Sequence, residues 1–581
     1  MPYRPPLDDI GILLLKVLDA PSRLQAMPAH AQTDAGLMRQ VLDEAGKFVA
    51  QRIVPLQRDS DEIGCRWEAG QVTTPPGFKQ AYQAFWQAGW PALACAAQDG
   101  GQALPVVLEA ILYEMLSAGC HGWTMAPGLL HGAYECLRHH GSDALKSGYL
   151  PKLASGEWLA TMCLTEAHAG SDLGLVRTRA TPQDDGSYRI SGTKIFISGG
   201  EHDLTDNIVH LVLARLPDAL PGPKGLSLFL APKILPHGAR NAITCERIEE
   251  KMGLHGSPTC VLRFDEACGW LVGEPHRGLG AMFVMMNAAR LHVGLQAIGL
   301  LEAAWQIADA YAGERRQMRA PKADPSGAGG ADLIAEHPAI RRILDTQRAW
   351  IDGARVLAYH TAIELDIGQH HPDAGRRAGA QRWCTLVTPV LKAAFTHQAF
   401  HGASECLQVL GGHGYVREWG VEQIVRDARV TMIYEGTNEI QAIDLLARKV
   451  LADGGVGLGT LFAELSAQLD AGASDHTPVL RRFAALQLVT AKLVSACRSD
   501  QSLAYWVADD FLRSVVLALM GWAWMRIQHQ TGQDPVQKQR TARWATPGDA
   551  LRRWVLPEFD MRLSIIAKRI AGETESAQQA R

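Results

Sequence analysis

From Gly278 to Gln317 the chain reads GLGAMFVMMNAARLHVGLQAIGLLEAAWQIADAYAGERRQ. Apolar residues fall on nearly every side of a helix drawn through this stretch, so that helix needs cover on several sides. A helix of this kind belongs inside a bundle. Three further helical stretches follow before residue 452 and predict a four-helix bundle. The texture upstream is different. "YRISGTKIFISGG", "NIVHLVLARL", "GLSLFLAPK" and "TCVLRFDEA" are short, β-rich and bounded by Gly, Pro, Asn or Asp, as strands of a compact barrel or sandwich are. Further upstream, "LMRQVLDEAGKFVAQRIVPLQRD", "PGFKQAYQAFWQAGW" and "LPVVLEAILYEMLSAGC" return to helical spacing.

The order predicts a mainly α chain with a central β domain. The expected pieces are an N-terminal extension over 1–35, a helical domain over 36–160, a middle β domain over 161–275 and a four-helix bundle over 276–452. A glycine-rich break, "DGGVGLG" at 453–459, then precedes an extra helical domain over 460–581. Within the bundle, "PKADPSGAGGADLIAE" reads as a surface loop.

Composition narrows the function. A hydrophobic share of 47% over 581 residues and a charged share of 20% fit a multidomain globular enzyme and exclude disorder. A net charge of -4 gives no bulk attraction to nucleic acid. Eleven cysteines without a CxxC pair read as reduced thiols, which places the chain in the cytoplasm. The longest apolar run, "SVVLALMGWAWM", is about half a membrane span, so it reads as a buried helix and no transmembrane segment is expected. There is no GxGxxG after a strand, no P-loop and no Gly-x-Ser-x-Gly elbow.

Four segments carry chemistry. "MCLTEAHAGSDLG" clusters small residues and hydroxyls where helices give way to strands, which lets backbone amides approach a planar ligand. "KIFISGG" sets Phe196 and Ser198 on one face of a strand. "QVLGGHGYVRE" supplies a glycine pair, which serves close backbone approach or a helix end equally well. "TMIYEGTNEIQ" sets Glu435 between an apolar run and a glycine turn. Apolar neighbours raise a carboxylate's pKa, and a carboxylate so tuned serves as a base near neutral pH. Asn438 and Gln441 have the spacing of a helix N-cap and its third residue. Arg315 and Arg316 suit either a helix end or a phosphate. His397, His401 and Glu405 stand four residues apart, but no metal is expected there.

Taken in this order, "TEAHAGSD", "KIFISGG", "QVLGGHGY" and "RDARVTMIYEGTNEIQ" resemble the motifs of the acyl-CoA dehydrogenase family over residues 36–450. The "MPYRPPLDDI" start, "GLHGSPT", "MMNAARLHVGLQ" and the additional C-terminal helices resemble its longer branch. The resemblance implies α,β-dehydrogenation of an acyl-CoA thioester to the trans-2-enoyl-CoA, with Glu435 as base, FAD as hydride acceptor and an electron-transfer flavoprotein as electron acceptor. It implies FAD contacts at Met162, Leu164, Thr165, Ser171, Phe196, Ser198, Thr437 and Glu439. Arg315, Gln317, Gln408, Gly411 and Gly412 would reach the FAD of a second subunit, so at least a homodimer is implied. Substrate contacts are implied at Ser171, Asn287, Arg290, Tyr434 and Gly436. Ala167 replaces the family's proline, and Met318-Arg319 replace its Phe-Gly. An acyl-CoA oxidase, or a nucleic-acid-binding relative without catalysis, uses the same scaffold. The mixed charge of residues 455–581 and the presence of Glu435 weigh against the second.

Overall fold

The computed structural model describes residues 2–321, 330–469, 476–532 and 538–579. The chain divides into two compact units, one of Glu44–His292 and one of Met1–Asp43 with Val293–Arg581.

In the first unit, helices α4 (Gln57–Glu62), α5 (Phe78–Gln87), α6 (Val106–Thr124), α7 (Leu130–His140) and α8 (Asp143–Ser155), with a two-stranded ribbon of β1 (Arg66–Glu68) and β2 (Gln71–Thr73) between α4 and α5 in the chain, lead into the β domain. That domain contains β3 (Leu159–Cys163), β4 (Arg179–Pro182), β5 (Tyr188–Ser198), β6 (Ile208–Arg215), β7 (Leu226–Pro232), β8 (Ile243–Ile248) and β9 (Thr259–Val272). β6, β4, β5, β9 and β7 follow one another, and β7 pairs back on β6, so the sheet closes on itself. Closure removes exposed edges. Inward residues such as Ile190, Val212, Phe229, Leu262 and Phe264 fill the interior. β3 lies parallel to β6, and β8 lies on β9.

The second unit holds the bundle. It is built from α9 (Gly278–Ala312), α10 (Pro338–His370), α11 (Ala374–Leu410), α12 (Val421–Arg429) and α13 (Asn438–Ile443). The division between the units falls inside α9, at His292. α9 is the one helix among the described residues long and apolar enough to cross a membrane, and most of it is buried. Its helical residues stop at Ala312, because Gly313 opens a turn that carries Arg315 and Arg316 out of the helix. Part of the expected loop "PKADPSGAGGADLIAE", residues 322–329, lies outside the described residues.

The second unit also takes in α1 (Leu7–Ile12), α2 (Ala20–Gln25) and most of α3 (Ala35–Phe48), together with α14 (Val456–Ser466), α15 (Thr477–Ala496), α16 (Ser502–Gly532), α17 (Lys538–Ala550) and α18 (Glu558–Gln579). The run "SVVLALMGWAWM" is the buried middle of α16. The glycine break is shorter than its composition predicts. Asp453 accepts from the amides of Gly455 and Gly457, so α14 begins at Val456 and absorbs two of the glycines.

Candidate active site

In the unit that holds the barrel, Met162 is a half-buried position of the otherwise buried strand β3. The backbone that follows is fixed by a charge inside the protein. The Lys194 ammonium, fully buried, donates to the carbonyl of Leu164 and to the Glu166 carboxylate, both at 2.9 Å. Glu166 also accepts from the amides of Arg177 and Thr178 and from the Thr178 hydroxyl. The Ile195 amide donates to the Thr165 carbonyl at 2.9 Å, which completes the tie between this loop and β5. One residue later β5 bulges, between the Lys194–Leu262 and Ile197–Cys260 pairs. Phe196 sits on that bulge with φ +59° and is 60% exposed. A left-handed aromatic residue in a strand is strained, and such strain collects at functional sites. The bulge sets the Phe196 ring out from a strand whose neighbours Lys194 and Ile197 are buried. Ser198 is half-buried at the strand's end and pairs with Thr259. Ser171 is exposed further along the loop from β3. On α9, Asn287 is exposed and Arg290 is buried one turn later.

Burial raises the Glu166 carboxyl, but Lys194, the Thr178 hydroxyl and the Arg177 amide outweigh that and bring it from 4.5 to about 2. A folded-state pKa below the unfolded value gives stability that is complete above about pH 4.5 and lost as pH falls toward about 2. Glu166→Gln leaves Lys194 buried beside an uncharged amide. It is expected to cost about 3–5 kcal/mol at pH 7. Thermal melts of both proteins at pH 7 check this, and equal midpoints would count against it.

In the bundle unit, Glu435 lies in the short connection between a 3₁₀ turn at Val430–Met432 and α13. It has φ +56°, and Gly436 follows at +83°. Two left-handed residues in succession reverse the chain sharply. The second favours glycine, since φ +83° strains any L side chain and a Cβ there would also press on the Gln441 amide at 2.8 Å. Side chains hold the turn from below. Gln441 Nε2 donates to the Glu435 carbonyl at 2.9 Å. Lys392 Nζ, fully buried on α11, donates to the Gly436 carbonyl at 2.7 Å and to Asn438 Oδ1 at 3.0 Å. Thr396 donates to the same Asn438 oxygen, and Asn438 Nδ2 donates to the Ala393 carbonyl. Asn438 is therefore a buried anchor rather than the expected N-cap. Thr437 caps α13, its hydroxyl accepting from the Ile440 amide. Glu439, exposed in the first turn, is held below its ordinary pKa by its own amide and by Thr437. Tyr434 donates to Gln296 Oε1 at 2.7 Å, which fixes the residue before Glu435.

The bundle unit also collects the other glycine-rich segment. Tyr311, near the end of α9, donates to or accepts from His413 Nδ1 at 2.9 Å, and the His413 ring stacks on Trp419. This brings the segment of Arg315 and Gln317 toward that of Gln408, Gly411 and Gly412, all five residues being exposed. The Arg315–Gln317 segment is itself paired back on Asp332 and Ile334. Among the described residues a Cβ on Gly411 or Gly412 would meet nothing within 4 Å, so these glycines leave open surface. The rings of His397 and His401 lie 4.2 Å apart, and burial together with Arg513 holds both below their ordinary pKa. A cation there would face Arg513 as well.

Three groups escape a reading by motif. Lys392 and Lys194 are single lysines inside β-rich or apolar runs, a pattern that signals a buried cation with fixed partners. Glu109, in the apolar helix α6, is the third. Burial alone would raise its carboxyl, but His131, 3.3 Å away, and His292 keep it below the ordinary value.

Residues 38–157, 161–267 and 276–451 match the N-terminal, middle and C-terminal domains of acyl-CoA dehydrogenase. The chain is 41% identical over 535 residues to 3-methylmercaptopropionyl-CoA dehydrogenase of Ruegeria pomeroyi, covering 90% of each chain. Its fold is similar to Caenorhabditis elegans ACDH-11 in complex with C11-CoA, with TM-score 0.77 and 20% identity over 96% of this chain and 92% of that one. It is also similar to an acyl-CoA dehydrogenase complexed with FAD from Bacillus anthracis, with TM-score 0.73 and 18% identity over 95% and 93%.

Proposed function

Because the chain belongs to the acyl-CoA dehydrogenase family, we propose that it oxidises an acyl-CoA thioester to the trans-2-enoyl-CoA, with Glu435 as the base that takes the α-proton. It is an FAD-dependent oxidoreductase, as members of this family are. The observation that carries the proposal is the Glu435 turn. A left-handed carboxylate residue, pinned through its own carbonyl by Gln441 and through the next one by Lys392, is oriented before substrate arrives.

The residues of the barrel unit fit a flavin. Phe196 offers an exposed ring on a strained bulge, and Thr165 and Ser198 offer hydroxyls at half-buried positions. With Met162 and Leu164 they would hold the ring system, and Ser171 would reach its phosphates or the pantetheine. Bound FAD supplies the acceptor for the β-hydrogen. Arg315, Gln317, Gln408, Gly411 and Gly412 are exposed and would reach the FAD of a second copy, which makes the working unit at least a homodimer. Thr437 and Glu439 would lie on its adenosine side.

Proton removal from a thioester α-carbon puts negative charge on the carbonyl oxygen. The Glu435 amide is the protein's donor for that charge. Arg290, with Asn287, Tyr434 and Gly436, would line the thioester. Electrons would leave to an electron-transfer flavoprotein. One relative is named for 3-methylmercaptopropionyl-CoA and others for butyryl-CoA, so short thioesters head the candidate substrates.

Anaerobic addition of a thioester panel to the yellow protein, from 3-methylmercaptopropionyl-CoA and butyryl-CoA to long chains, tests the reading. Bleaching of the flavin by one class supports it and fixes the substrate. A protein that takes up no FAD would refute it. Lys392→Met removes the cation beneath the turn and touches no substrate. It is expected to lower kcat about 10–100-fold with KM little changed, the signature of a lost transition-state interaction. An equal rise in KM at constant kcat would instead assign Lys392 to substrate binding.

A further inference from the structure

Away from the Glu435 turn, the bundle unit brings two histidines and an aspartate together. His30 ends a 3₁₀ turn, Pro28–His30, in the N-terminal segment. Asp366 and His370 lie one turn apart on the last part of α10. His30 Nε2 is 3.4 Å from Asp366 Oδ1, and the rings of His30 and His370 meet edge to face at 5.5 Å. One donor atom from each residue lies within 4.8 Å of the other two.

His30 is 5% exposed, and among the described residues neither ring nitrogen makes a hydrogen bond, Nε2 standing 3.4 Å from Asp366 Oδ1 at ion-pair distance only. Buried polar groups are almost always satisfied, so a buried imidazole that makes no hydrogen bond calls for a further partner. A plain His–Asp ion pair would close to a charge-assisted hydrogen bond of about 2.8 Å. The His30–Asp366 pair has stayed apart, with a second imidazole facing the gap.

We infer that His30, Asp366 and His370 bind one divalent transition-metal ion, with zinc the best match to the donors. Two imidazoles and one carboxylate form a common three-ligand zinc set, with a fourth position left for water. Calcium and magnesium prefer oxygen-only shells, and copper(I) prefers sulfur. His30 and Asp366 supply the buried side, and exposed His370 closes the site from the surface. Donors at about 2.0–2.2 Å from zinc stand about 3.5 Å apart, so the cluster must contract. A turn of the exposed His370 side chain provides the movement. The ion would staple the N-terminal segment to α10, and its binding would raise the melting temperature with free metal concentration.

The test uses the full-length chain without a polyhistidine tag, stripped with chelator and titrated with Co²⁺. The expected result is visible d–d absorption saturating at about one ion per chain, displaced by Zn²⁺, with a rise in melting temperature. His370→Ala changes a surface residue and is expected to fold and to keep flavin and dehydrogenase activity, but to lose the Co²⁺ band. No saturable band in the parent protein, or the same band in His370→Ala, would overturn the assignment. His30→Ala adds a second check where it folds. Because the readout is metal binding, its failure leaves the assignment of Glu435 untouched.

Discussion

Glu435→Gln is expected to lower turnover by about 10³-fold, with FAD and thioester still bound. General base catalysis contributes about 10²–10⁴. The substitution keeps size, the backbone conformation and the Gln441 and Lys392 contacts, since both of these reach backbone carbonyls rather than the Glu435 carboxylate. What the substitution removes is the basic carboxylate proposed to take the α-proton. The measurement is the anaerobic rate of flavin bleaching under single turnover. Product release then plays no part, and the rate reports proton and hydride removal. Thioester affinity is read separately from the spectral shift on binding. A variant that bleaches at the parent rate would remove Glu435 from the mechanism and direct attention to another carboxylate. A variant that binds neither FAD nor thioester would show that the turn at φ +56° had collapsed, and Glu435→Asp would then separate position from chemistry.

Much of this turn is legible in the sequence, because its logic is local. A carboxylate followed by glycine, between an apolar run and a helix start, allows few backbone paths. The N-cap is misread for the same reason. Thr437 and Asn438 both suit the position, and the choice falls to Thr437 because Lys392, Thr396 and the Ala393 carbonyl, some 45 residues upstream, claim the Asn438 side chain. Lys392, Lys194 and Glu109 stand out as charges among apolar residues, but their partners are set only by tertiary contacts.

The strands divide along similar lines. β5, β6, β7 and β9 are long and rich in β-branched or aromatic residues, and they are evident from pattern. β3, "LATMC", has residues that favour a helix as readily, and it becomes a strand because β6 offers a parallel edge. Phe196 is legible as a ring on a strand, but not as a ring turned outward. The bulge depends on the register with β9.

The second large effect expected is on stability. Asp352→Asn should cost about 3–5 kcal/mol at pH 7. Asp352 is fully buried on α10. It accepts from Arg348 at 2.7 and 3.0 Å and from Arg543 at 2.8 Å. Arg543, on α17, reaches Asp9 of the N-terminal segment at 2.8 Å. Arg348 also pairs with Glu302 of α9, which holds Arg355 as well. Three carboxylates and three guanidinium groups thus balance. The network links the N-terminal segment, two bundle helices and the C-terminal helix α17. An asparagine neutralises one carboxylate and leaves two arginines facing each other with one charge short. Burial raises the Asp352 carboxyl, but Arg348 and Arg543 outweigh it and bring it below its ordinary value, and Glu302 is lowered in the same way by Arg348 and Arg355. A depressed folded pKa gives stability that is complete above the unfolded carboxylate value of about 4 and is lost as pH falls through the folded one. The difference between parent and Asp352→Asn should therefore be full at pH 7 and shrink below about pH 4, where the parent loses the same charge. Thermal melts across that range measure it. A difference that stayed constant down to acid pH would assign the loss to packing rather than charge, and no difference at pH 7 would show that the network contributes nothing beyond satisfying its own buried groups.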